Sequence, residues 1–114
     1  TLDVLQADPD IDVIFAACDG GAQGAVAALE QIGRDGEILI CTIDGRKSVL
    51  EWIKNGDKGV VCDAFNDPRQ MGKWAVYMAA LQASGVSTPS TYYVMNDLVT
   101  TENVDTYYDA NSTY

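Results

Sequence analysis

Apolar positions along the chain switch repeatedly between two spacings, and the switches divide it into alternating strands and helices. Residues 11–17 form a short β-rich run after the turn signal Asp8-Pro9-Asp10. Ala22, Ala25, Val26, Leu29 and Ile32 then fall at helical spacing, with Gly33 as a stop. Residues 38–43 are almost continuously apolar, the pattern of a parallel strand covered on both faces. A short helix follows around Val49, Leu50 and Ile53, closed by Asn55-Gly56. Residues 59–65 read as a third strand. Pro68 opens a longer helix with Met71, Trp74, Ala75, Met78 and Ala79 on one face. Ser84-Gly85 and Pro89 end it, and residues 91–95 (Thr-Tyr-Tyr-Val-Met) read as a fourth strand. Residues 2–7 resemble the last turns of a helix, and the acidic, Tyr-rich tail from Asn103 to Tyr114 has no period.

Such a βαβαβαβ order predicts an α/β fold: a three-layer open parallel sheet with right-handed crossovers. At 114 residues, 47% hydrophobic and 21% charged, the chain has the size and balance of one globular domain. No apolar run approaches the ~20 residues of a membrane-spanning helix. The start at Thr1-Leu2-Asp3, without Met, is read as that of a fragment or a processed product.

Charge and composition narrow the chemistry. A net charge of −10 leaves no basic patch for phosphates, so nucleic acid and anionic membranes are not expected partners. There is no His, which removes the commonest general base and metal ligand. Cys18, Cys41 and Cys62 lie far apart without a C-x-x-C pair, so neither a metal nor a cofactor is expected. Cys41 and Cys62, inside apolar runs, are expected to be buried and unreactive. Cys18 at a strand–helix turn invites a nucleophile reading, but without His no base activates it, and no catalysis is expected.

In an open α/β sheet, ligands bind beyond the carboxyl ends of the strands. The first strand runs into Cys18-Asp19-Gly20-Gly21, the second into Asp44-Gly45, and the third into Asn66-Asp67-Pro68. Short polar acceptors therefore gather on one edge, each before a helix N-terminus. Carboxylates accept hydroxyl protons, and an Asn amide both donates and accepts, a mixture suited to a neutral polyol. Asp44, Asn66, Cys18 and Asp19 are the candidate ligand-binding residues. Asp19 and Asp67 also qualify as helix N-caps, and Trp52 and Trp74 as packing residues.

These residues carry a family pattern. The stretch from Asp8-Pro9-Asp10-Ile11-Asp12 to Cys18-Asp19, with Ala22-Gln23-Gly24-Ala25 and Leu29 behind it, resembles type I periplasmic sugar-binding proteins of the ribose/galactose-binding class. Ile43-Asp44-Gly45, the stretch from Gly59 to Asn66-Asp67-Pro68 and Met71-Gly72, and Leu98-Val99-Thr100-Thr101-Glu102-Asn103 continue the likeness in family order. The resemblance implies a two-lobe, extracytoplasmic component of an ABC importer, periplasmic or membrane-anchored outside the cell. It would hold a monosaccharide in the cleft and hand it to a permease. It also implies that residues 1–114 are the C-terminal part of such a protein. Residues 66–97, a hinge-crossing helix and strand, would belong to the other lobe. Family ligand contacts map onto Cys18, where the family usually has Asn, and onto Asp44 and Asn66. Alone, the chain is expected to expose an unpaired edge and an uncovered face, and to pair with missing polypeptide or a second copy. The nearest alternative is the effector domain of a lactose-repressor-type regulator, which has the same fold and needs a helix-turn-helix upstream.

Overall fold

The computed structural model describes residues 1–113. Its elements are α1 (Leu2–Ala7), β1 (Val13–Phe15), α2 (Asp19–Gln31), β2 (Leu39–Asp44), α3 (Lys47–Asn55), β3 (Val60–Phe65), α4 (Pro68–Ala83) and β4 (Asp97–Val99). A short 3-10 turn at Val104–Thr106 follows. The strands form one open α/β sheet in the order β1-β2-β3-β4.

β1, β2 and β3 run parallel, with Val13 opposite Leu39 and Thr42 opposite Asp63. A register shift after Ile40 absorbs Val61, so the two strands stay in step where they end, at Asp44 and Phe65. Alternation then sends Ile40, Thr42, Val60 and Asp63 inward, all buried beneath α2 and α3. Leu29, Ile38, Ile40, Val49 and Ile53 are 0% exposed and form the centre of the core. α3 closes at Gly56 in the left-handed conformation, φ 64°.

Two expectations fail at the fourth strand. Residues 91–95 form no strand; β4 is Asp97–Val99, and it runs antiparallel to β3, with Asp97 opposite Phe65. The chain leaves the sheet at the end of β3, travels out along α4, and returns to the same end. Because nothing crosses back over the sheet, the returning strand points the opposite way. The Tyr-Tyr-Val run has β propensity but no neighbouring backbone to bond, and propensity alone does not make a strand.

One face of the sheet is bare, as expected where a three-layer fold is incomplete in this chain. Val13, Phe15, Leu39 and Leu98 are 54%, 67%, 45% and 61% exposed. Cys41 and Cys62 stand opposite each other on this face and are half-buried rather than buried, since no second layer covers them. Both are free thiols; burial first, then the Cys41 neighbour, pushes the Cys62 thiol up to about 11. α4 has no buried residue, so its apolar face does not join the core. It packs on the segment after it, with Trp74 and Tyr92 ring centroids 4.9 Å apart. The Cα radius of gyration is 17.6 Å, against about 13 Å for a compact chain of this length.

The start of the tail packs against the core. Val104 is 2% exposed, Lys54 pairs with Asp105 at 2.6 Å, and Tyr107 packs on Phe65 at 5.1 Å.

Candidate functional site

β1, β2 and β3 deliver their carboxyl ends to one rim, and backbone hydrogen bonds connect them there. Cys18 is the N-cap of α2, with extended backbone and an exposed side chain. Its carbonyl accepts from Gly21 and Ala22, at 3.0 and 3.1 Å. Asp19 follows as the first residue of the helix, so the capping position falls one residue earlier than Asp19. Asp67, by contrast, caps α4: its Oδ1 accepts the Arg69 N–H at 2.9 Å.

Asp44 stands at the centre of the rim. Its Oδ2 accepts the Asp19 N–H at 3.4 Å, and its carbonyl accepts the Asn66 N–H at 3.3 Å. It thereby links the ends of all three parallel strands. Its φ is 134°, a conformation that costs a side-chain-bearing residue about 1–3 kcal/mol. Gly45 follows at φ 85°, with the Phe65 ring against its Cα. The Asp44 side chain is held where an ordinary strand end would not put it. Asp44 and Asn66 are both half-buried.

Beneath the rim lies a pair of carboxyl groups. Asp19 and Asp63 are each 0% exposed. Asp19 Oδ1 accepts the Thr42 hydroxyl at 2.9 Å, and Oδ2 accepts the Arg46 N–H at 2.6 Å. Asp63 Oδ2 accepts the Gly45 N–H at 3.1 Å. Burial, then the Asp19 charge, pushes the Asp63 carboxyl up to about 7. Asp19 is raised as well, by burial first, against the Arg46 and Thr42 hydrogen bonds. Both Asp19 oxygens are thus engaged inside the chain, and this side chain offers no group to a ligand in this conformation. Asp44 is tied to the backbone next to Cys18, through the Asp19 N–H, and to the backbone of Asn66.

Asp63 escaped the sequence reading. Its signal was a lone carboxylate in the otherwise apolar run Val60-Val61-Cys62-Asp63-Ala64-Phe65, at an inward position. Beside the rim runs a groove of about 380 Å³, lined by Gly45, Phe65, Asp67, Arg69 and Tyr107 among others. Cys18, Asp44 and Asn66 do not line it. Among the described residues, no group of three or more His, Cys, Asp or Glu is placed to hold a metal ion.

A parallel α/β sheet with polar residues on its carboxyl rim matches known proteins. The periplasmic binding protein domain family matches residues 1–87, more than half of the sequence, and the chain belongs to that family. It is 37% identical over 76 residues to the ribose import binding protein of Bacillus subtilis, covering 67% of this chain and 24% of that protein. Among solved structures, it is similar to an ABC transporter periplasmic solute binding protein from Actinobacillus succinogenes with bound D-allose. The TM-score is 0.84 at 33% identity, over 93% of this chain and 36% of that one. An ABC transporter solute binding protein from Mycobacterium smegmatis with bound glycerol gives a TM-score of 0.83 at 33% identity, over 91% of this chain and 35% of that one. The chain therefore spans about a quarter of the curated relative and about a third of the structural ones.

Proposed function

We propose that this chain is the C-terminal part of an extracytoplasmic solute-binding protein of an ABC importer. It holds a small neutral polyol or monosaccharide, without chemical change, between two lobes. The observation that carries this reading is the backbone of Asp44: a carboxylate at φ 134°, at the centre of the rim, flanked by Asn66 and Cys18. Strain at a strand end that aims a polar side chain outward is the mark of a working residue. Asp44 accepts hydrogen bonds from two solute hydroxyls, Asn66 donates and accepts beside it, and Cys18 lines the near wall. The solutes bound by the structural relatives, D-allose and glycerol, support a hydroxyl-rich ligand. Transport of the bound solute through a permease partner, rather than control of transcription, is the reading their descriptions favour.

Residues 66–97 extend this proposal. An α4 with no buried residue and the long axis of 58 Å accord with a segment that belongs to a second lobe. Closure of two lobes on the solute then follows from contacts on both sides of the cleft, which favour the closed state.

Calorimetric titration of the complete protein against D-ribose, D-allose, glycerol and myo-inositol tests the proposal. At least one binds, and Asp44→Ala weakens it by about 1.5–3 kcal/mol. Unchanged affinity in that variant removes Asp44 from the site, and binding of none of the four rejects the solute class.

A further inference from the structure

The rim is held from below by two carboxyl groups, and their arrangement implies a proton. Asp63 Oδ1 is buried and meets no N–H or O–H donor among the described residues, while Oδ2 takes the Gly45 N–H. The Asp19 carboxyl stands beside Asp63, since it accepts the hydroxyl of Thr42, the residue opposite Asp63 in the sheet, and no Lys or Arg side chain pairs with either group among the described residues. Two unneutralised carboxylates side by side, both out of water, repel strongly, so one of them keeps its proton. Asp19 already accepts two hydrogen bonds that favour its charged form. Asp63 has the free oxygen, so the proton sits on Asp63 Oδ1 and is donated to Asp19. Neither carboxyl touches the solute in the proposed site. Together they anchor consecutive residues of the loop, Asp63 through Gly45 and Asp19 through Arg46, and the Asp19 N–H reaches Asp44.

We infer that Asp63 and Asp19 are positioning residues, a proton-sharing pair that sets the Asp44–Gly45–Arg46 loop and makes solute affinity fall when the pair loses its proton. This rests on the solute-binding reading of Asp44. The groups facing the pair are few. From α2 there is Asp19 itself, from the end of β2 Asp44, and from β4 the apolar Val99 opposite Asp63, with Asp97 further along. α3 packs on β3 with the apolar Val49, Leu50 and Ile53, and Cys62 stands on the opposite face of the sheet. Loss of the shared proton therefore places an uncompensated negative charge beside Asp19 and Asp44. The titration of Asp63 to about 7 puts that event within the physiological range.

The test takes the complete protein in two steps. First, without solute, the Asp63 side-chain carbon and the Gly45 and Arg46 amides are followed by NMR from about pH 5 to about pH 9. All three titrate together with a midpoint near neutrality; an Asp63 midpoint below about 5, or loop amides that ignore it, overturns the pair. Second, the affinity for D-allose, D-ribose or whichever probe binds is compared at about pH 6 and about pH 8.5 in wild type and Asp63→Asn. An Asn amide donates to Asp19 and accepts from Gly45 at every pH. Wild type loses affinity by about tenfold per pH unit above the midpoint if only the protonated pair binds, and Asp63→Asn stays level. Equal pH profiles in the two proteins overturn the regulation even when the NMR midpoint holds. If none of the probes binds, the solute reading fails, while the NMR step still decides the pair.

Discussion

Replacing Gly45 by Ala asks how firmly the rim is built. Gly45 has φ 85°, so any L side chain there incurs the left-handed penalty of about 1–2 kcal/mol. A Cβ built on it would lie 2.7 Å from Phe65 Cε2 and 3.2 Å from Cγ, well inside the ~3.5–4.0 Å of a comfortable carbon contact. The ring has little room to retreat, since Tyr107 packs on it with centroids 5.1 Å apart. Forcing one methyl into such a contact costs about 1–3 kcal/mol. The lowered entropy of the unfolded chain returns about 0.4–1 kcal/mol. The net loss is then about 1–4.6 kcal/mol, a sizeable part of the ~5–15 kcal/mol of a whole domain. Gly33 provides the control. Its φ is 71°, but nothing lies within 4 Å of its Cβ position, so Gly33→Ala carries the backbone cost alone. Urea titration followed by circular dichroism reads both, the midpoint falling with an unchanged slope. Equal losses in the two variants would refute the claim that Phe65 buttresses the Asp44–Gly45 turn.

Other expectations are as direct. Asp63 rises from 3.8 to about 7 on folding, so the unfolded chain loses this proton first and stability falls as pH climbs from about 4 to about 7. At ~1.4 kcal/mol per unit the loss is at most about 4 kcal/mol, and it is absent from Asp63→Asn; a wild-type-to-variant difference constant across that window would contradict it. Leu29→Ala, at a 0% exposed position, destabilises by about 2.7–5 kcal/mol in the same urea assay, and a loss below about 1 kcal/mol would mean the core is not centred there. Phe15, 67% exposed on the bare sheet face, separates the chain from the complete protein. Phe15→Ala shifts the stability of the 114-residue chain by no more than about 0.5 kcal/mol and that of the complete protein by about 3–5 kcal/mol. Equal effects in both would deny that missing polypeptide covers this face.

What was readable in the sequence had local causes. The helical spacing of Ala22, Ala25, Val26 and Leu29, the Gly56 stop and the apolar runs at Ile40 and Val60 each report their own element, and the structure forms all of them. That the ends of β1, β2 and β3 share one rim was legible because parallel strands end side by side. What stayed hidden depends on distant partners. Thr91-Tyr92-Tyr93-Val94-Met95 has the composition of a strand but finds no edge to join, while Leu98 and Val99, read only as part of a terminal motif, do pair. Cys41 and Cys62 sit in apolar runs yet are only half-buried, because burial needs a second layer that these residues do not supply. Asp63 has no separate meaning within its strand; its role appears only with Asp19 beside it.

A crystal structure of the complete protein with a bound sugar or polyol tests the central claim most directly. The account predicts solute hydroxyls within about 2.5–3.2 Å of the Asp44 carboxylate and the Asn66 amide, with Cys18 in van der Waals contact. A solute seated instead in the groove by Tyr107 and Arg69, out of reach of Asp44, would contradict it.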